Sequence, residues 1–196
     1  MGFGTDEQLL VDILKYKQKF DYNIIIETGT YHGTSSQILS SVFDKVYTCE
    51  INQTYKEDIN KKISGINNIE VMFDSSPVCL KKWFKEIGHD KFFLFLDAHW
   101  MEDWPIQDEL QQVIDFGYKP FIFIHDFYCG HEGWKYDSYG DIRLDYDYVK
   151  EKMDKIYGVN NYIFEVSQIS KNGLPNLLND LRGCGFFYPK IGRAHV

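Results

Sequence analysis

Apolar residues at Leu9, Leu10, Ile13 and Leu14 return with helical spacing behind the capping pair Thr5-Asp6, and predict a helix over 6–20. The period then changes. "NIIIE" is a short apolar run without polar alternation, the pattern of a strand buried on both faces of a parallel sheet. Four more segments read the same way: "KVYTCE" (45–50), "IEVMFD" (69–74), "FFLFLD" (92–97) and "PFIFIHD" (120–126), each separated from the next by a helix-like stretch. Such βα alternation predicts a doubly wound sheet with right-handed crossovers. Ser75-Ser76-Pro77 sets a capping serine before a first-turn proline, and Trp104-Pro105 opens a helix running to Phe116. Beyond Asp126 the pattern lapses, and residues 127–144, rich in Gly, Tyr and His, read as a long loop of the lid or binding type. A helix over 145–157, a strand over 162–166 and a last strand at "GFFYP" complete the fold.

The 196 residues are enough for one domain with a full core, which we place at 1–190. The closing "IGRAHV" (191–196) resembles the translation of a sequencing adapter, as expected of a frame assembled from bulk environmental DNA, and leaves the natural end of the chain open. A net charge of −8 argues against nucleic acid and anionic membranes as partners, because both select a basic face. Cys49, Cys79, Cys129 and Cys184 form no CxxC pair, so reduced thiols and a cytoplasmic location are expected. An aromatic share of 17% fits a flat ligand or a thickly packed core equally well.

Chemistry concentrates where the strands end. Glu27, Glu50, Asp74, Asp97 and Asp126 each close or follow one of the first five strands, and ligands of open α/β sheets bind beyond those carboxyl ends. In "IIIETGTYHGTSS" the spacing is E-x-G-x-x-x-G, with Thr30 where dinucleotide enzymes carry their second glycine. Glu50 follows 23 residues after Glu27, where an acid can accept both hydroxyls of a ribose.

These residues together resemble the class I S-adenosylmethionine-dependent methyltransferases, over nearly the whole chain. The resemblance implies a three-layer Rossmann-like fold whose mostly parallel seven-stranded sheet ends in an antiparallel strand. It implies S-adenosylmethionine as cofactor, with Glu27 and Gly29 along the amino-acid part, Glu50 on the ribose and Asp74-Ser75 at the adenine. Thr28, Tyr31, Gly33, Asp97 and Trp100 complete the expected cofactor set; Trp100 would stack on the adenine or plug the core. "FLFLDAHWMEDW" and "FIFIHDF" resemble strand ends of metal-dependent small-molecule and sugar O-methyltransferases. Carried over by position, Asp97, His125 and Asp126 are the metal candidates, for magnesium or manganese. His125 stands where those enzymes carry an acid, which leaves iron, zinc or no metal open as well.

Asp97, His99 and His125 are the candidate catalytic groups, since an acceptor hydroxyl must lose its proton, either with its pKa lowered by a bound divalent cation or directly to a protein base. His131 is a further base candidate. Tyr128, Trp134, Tyr136 and Tyr139 either line an acceptor pocket or pin their own loop. Glu102-Asp103 and Asp145-Asp147 read as solvated faces or helix starts. The expected partner is a small-molecule acceptor; oligomeric state is left open, a homodimer included. Two rival readings stand beside methyl transfer: a metal-dependent hydroxylase or nucleotide-sugar-modifying enzyme on the same fold, and a noncatalytic cofactor-binding subunit.

Overall fold

The computed structural model describes residues 7–99, 104–168 and 181–190. Trp100, Glu102-Asp103, the Thr5-Asp6 cap and the 191–196 tail lie outside them. In chain order the elements are α1 (Glu7–Phe20), β1 (Ile24–Thr28), α2 (Thr34–Ser40), β2 (Lys45–Cys49), α3 (Lys56–Ile63), β3 (Ile69–Met72), α4 (Ser76–Ile87), β4 (Phe93–Leu96), α5 (Ile106–Phe116) and β5 (Phe121–His125). Then come β6 (Ser138–Tyr139), β7 (Ile142–Arg143), α6 (Tyr146–Tyr157), β8 (Tyr162–Val166) and β9 (Cys184–Pro189).

Seven strands form one sheet in the order β3-β2-β1-β4-β5-β9-β8. The first five are mutually parallel, and β9 enters antiparallel between β5 and β8. The order reverses between β1 and β4, which opens a crevice at their carboxyl ends.

Alternate strand residues face two different helix layers, so neither face carries a polar stripe. Ile26, Leu94, Leu96, Ile122 and Ile124 pack against α4, α5 and α6 through Leu80, Trp83, Phe84, Leu110, Val149 and Met153. On the opposite face Phe93, Phe95, Phe121, Phe123 and Phe186 meet Leu9, Ile13, Tyr16 and Phe20 of α1. Phe95 stacks on Phe123 with centroids 4.6 Å apart, and Phe121 on Tyr188 at 5.1 Å. Much of the aromatic excess is therefore core: each buried ring contributes roughly 1.5–3 kcal/mol by burial, and favourable ring pairs about 0.5–1.5 kcal/mol more.

Local signals explain the helix ends. Asp145 caps α6 by accepting from Tyr148 N at 3.1 Å, so this acid is a helix start. Ser75 does occupy the position before α4, with Pro77 in the first turn, but its side chain makes no capping bond; Asp74 Oδ1 instead accepts Ser75 N at 2.7 Å. The four cysteines are free, and among the described residues no helix is long and apolar enough to cross a membrane.

The segment 127–144 departs from a plain loop. It carries the β6–β7 ribbon and is strapped to its surroundings by backbone bonds: Tyr128 N to Leu144 O (2.8 Å), Asp137 N to Asp126 O (2.8 Å) and Lys135 N to Leu181 O (2.9 Å). Its aromatics hold it in place. Trp134 is buried beside His131, Tyr139 packs on Trp104 at 4.5 Å, and Tyr128 meets Tyr136 at 4.8 Å with the Arg143 guanidinium 3.8 Å above the Tyr128 ring.

Candidate functional site

A cavity of about 520 Å³ opens at the reversal point of the sheet. Gly29, Tyr31, Glu50, Asn52 and Tyr55 line it beyond β1 and β2; Asp74 and Ser76 line it beyond β3. Asp97, Ala98, His99, Asp126, Asp137 and Arg182 line it beyond β4, β5 and the start of β9.

The glycine loop is built by close approach. Gly29 has φ 86, and a Cβ there would lie 2.6 Å from the Asp97 carbonyl oxygen, so only glycine lets the two strand ends touch. Gly29 N and Thr30 N both donate to Cys49 O, at 3.0 and 2.9 Å. Tyr31 follows at φ 52, an uncommon conformation for a bulky side chain. Glu50 holds this arrangement: one carboxylate oxygen accepts Tyr31 N and the other Asn52 N, each at 2.8 Å. Each oxygen keeps a second lone pair for a ligand hydroxyl.

Glu27 is not on the rim. It sits one residue inside β1, is fully buried, and accepts from Thr48 Oγ1 at 2.8 Å and from Ser36 Oγ. Burial pushes its carboxyl up to about 7, against the hydroxyl bonds that favour the charge. Thr28 is buried and Gly33 caps α2 at φ 75; neither lines the cavity, and Ser76 lines it where Ser75 was expected.

Beyond β4 and β5 the charges interlock. Asp97, His99 and Asp126 offer donor atoms that all lie within 4.8 Å of one another. His99 Nε2 is 3.5 Å from Asp97 Oδ1 and 3.2 Å from Asp126 Oδ2, while its Nδ1 is 2.7 Å from Asp137 Oδ2. Arg182 Nη1 pairs with the other oxygen of Asp126 at 2.5 Å. His125 is buried outside the cavity, its Nδ1 2.8 Å from Asp97 Oδ1. The histidine that completes the three-donor group is thus His99, where the sequence pattern pointed to His125. Asp126 takes φ 53 to turn the chain out of β5, a strained conformation of the kind that accompanies functional sites.

Electrostatics follow from the packing. Burial lowers the affinity of His99 for a proton, but Asp126, Asp137 and Asp97 outweigh it and push the imidazole up to about 12. Burial alone would raise Asp97 and Asp126; the His125 and His99 rings, joined at Asp126 by Arg182, hold both below the usual carboxylate range. An imidazole that already keeps its proton is a poor general base. His131 is engaged elsewhere, with Nε2 2.9 Å from Ser167 O. Tyr128, Trp134, Tyr136 and Tyr139 do not line the cavity; from the loop, only Asp137 does.

Compared by sequence, the chain matches no family model and no curated protein. Compared by structure, it is similar to the methyltransferase domain of bacterial CtHen1, with a TM-score of 0.60 at 12% identity over 93% of this chain and 98% of that one. The fold is that of S-adenosylmethionine-dependent methyltransferases. A proposed caffeoyl-CoA O-methyltransferase from Staphylococcus aureus superposes with TM-score 0.61 at 15% identity, over 94% of this chain and 84% of that one. A proposed methyltransferase from Streptococcus mutans, solved in complex with S-adenosylhomocysteine, gives TM-score 0.50 at 12% identity over 89% of this chain and 97% of its own. The methyltransferase fold accounts for the sheet order, the reversal point and the cavity beyond it.

Arg182, Asp137, Asn52 and Tyr55 join the site without having been read from the sequence. For Arg182 a signal existed. A last strand antiparallel to its neighbours starts at the rim where the parallel strands finish, so a basic residue just before "GCGFFYP" had to arrive beside Asp126.

Proposed function

We propose that this chain transfers the methyl group of S-adenosylmethionine to an oxygen of a small molecule, with sugars and glycan precursors as the favoured class. One observation carries the reading: a single cavity is lined both by the Gly29 loop and Glu50 and by Asp97, His99 and Asp126. Cofactor and acceptor would meet inside it. Glu50 would accept the ribose hydroxyls through its spare lone pairs, and the acidic rim suits a sulfonium cation.

In the reaction the acceptor O–H gives up its proton, the oxygen attacks the methyl carbon in line, and the carbon–sulfur bond breaks to leave S-adenosylhomocysteine. That proton would pass to water by way of the ionised carboxylate of Asp97 or Asp126, both of which line the cavity. Asp97, His99 and Asp126 also fit a divalent cation: the imidazole presents Nε2 inward between two carboxylates, with Nδ1 engaged by Asp137. Such an ion would lower the acceptor's pKa. A mixed oxygen and nitrogen donor set favours manganese, iron or zinc over magnesium.

Calorimetric titration with S-adenosylhomocysteine tests the cofactor half. Saturable binding by the wild-type chain that weakens at least tenfold in Glu50→Ala supports it, and absence of binding with chelator, magnesium and manganese alike removes it. Methyl-labelled S-adenosylmethionine with a panel of hydroxyl acceptors tests the rest. The same donor set would serve a metal-dependent hydroxylase, and product formation that needs oxygen but not S-adenosylmethionine would favour that reading.

A further inference from the structure

The outer partner of His99 has no role in the chemistry above, yet it is held with more care than an exposed loop acid requires. Asp137 donates its backbone N–H to Asp126 O at 2.8 Å and accepts Leu144 N at 3.1 Å. Two residues earlier, Lys135 is tied into the chain at Leu181 and Gly183 by bonds of 2.9 and 3.1 Å. The Asp137 carboxylate is divided between two cations: Oδ2 lies 2.7 Å from His99 Nδ1, and Oδ1 lies 3.8 Å from Arg182 Nη1. Once a bound cation takes the place of the Nε2 proton, an imidazole whose Nδ1 proton is fixed by a carboxylate keeps one ring orientation and offers one lone pair, on Nε2. Here that nitrogen points at Asp97 and Asp126.

We propose that Asp137 is a positioning residue for a divalent-cation site formed by Asp97, His99 and Asp126: it fixes the His99 ring so that Nε2 is the ligating atom, and thereby sets the affinity of the site. This rests on the cation reading given under the proposed function. The β6–β7 ribbon then serves as a support that carries the outer carboxylate to the imidazole, while Arg182 does the same for the far oxygen of Asp126.

The probe is the metal alone. Manganese is titrated calorimetrically, in competition with a weak chelator, into the wild-type chain, Asp137→Ala, Asp137→Asn and Asp141→Asn. Loss of an outer-shell carboxylate typically weakens a site by about 10–100-fold. We expect that loss in Asp137→Ala and a smaller one in Asp137→Asn, whose amide oxygen still accepts a hydrogen bond. Asp141→Asn removes the same charge from an exposed position at the ribbon turn and is expected to bind as wild type, which separates a specific bond from a general field.

In zinc-loaded, ¹⁵N-histidine-labelled protein, the His99 Nδ1 proton is expected as a downfield resonance protected from exchange, and absent from Asp137→Ala. Far-UV circular dichroism and the thermal midpoint of each variant report whether the fold is kept. Should Asp137→Ala not fold, Asp137→Asn carries the test. Unchanged manganese affinity in the Asp137 variants overturns the positioning role and leaves the cation site standing. A wild-type chain that binds neither manganese nor zinc overturns both.

Discussion

Glu27→Gln isolates the energetic consequence of placing a carboxyl one residue too deep. In the folded chain burial pushes Glu27 up to about 7, from an ordinary value of 4.5. Between those limits the folded state holds a proton that the unfolded state has lost, so stability falls as pH rises from about 4.5 to 7 and stays low above. At about 1.4 kcal/mol per pKa unit the loss comes to roughly 3 kcal/mol. With 0% of the residue exposed, no solvent screening reduces it. Glutamine keeps an acceptor for Ser36 and Thr48 but cannot ionise, so its stability curve lacks this component. The assay is urea unfolding of both proteins at half-unit steps from pH 5 to 8. At a slope of roughly 2 kcal/mol/M, the difference between the two midpoints should change by about 1 M or more across the series, with the glutamine variant gaining on wild type as pH rises. Glu109, also buried and pushed up to about 7, contributes equally to both proteins and cancels in the comparison. Parallel curves across the whole range would refute the argument, because they would mean that Glu27 ionises alike in the folded and the unfolded chain.

Gly29→Ala forces a Cβ to 2.6 Å from Asp97 O at φ 86; we expect about 1–3 kcal/mol of destabilisation in urea and at least tenfold weaker S-adenosylhomocysteine binding by calorimetry. Gly183→Ala places a Cβ 1.9 Å from Phe127 O, away from the glycine loop; the thermal midpoint should fall markedly, and an unchanged midpoint would mean that the contact relaxes freely. Tyr157→Phe removes a buried hydroxyl that donates to Pro120 O at 2.7 Å and lies 3.2 Å from Phe187 O, and should cost about 1–3 kcal/mol while leaving ligand affinity as in wild type.

The sheet and its rim were legible because strands buried on both faces leave continuous apolar runs, and because ligand chemistry in such sheets gathers at strand ends. Glu50, Asp97 and Asp126 follow from that rule. Glu27 does not, since β1 runs on to Thr28: one residue of extra strand turns a side chain from the rim into the layer between sheet and helix. His99 against His125 is a decision of the same kind. The strand carries His125 into the protein, whereas Ala98 and His99 lie beyond β4 and turn into the cavity. Asp137 was beyond reach for another reason: its position depends on backbone bonds to Asp126 and Leu144 that no local pattern announces.

The insertion of β9 between β5 and β8 also imposes a timetable. Asp126 leaves the ribosome more than fifty residues ahead of Arg182, an interval of roughly 3–10 s at ordinary rates of synthesis. Until β9 arrives, β5 has an open edge, the rings of Phe121 and Phe123 lack Phe186 and Tyr188, and Asp126 lacks its guanidinium. The nascent chain therefore passes through a stage with most of its sheet and an unfinished site, and that stage is where a chaperone would find its longest foothold.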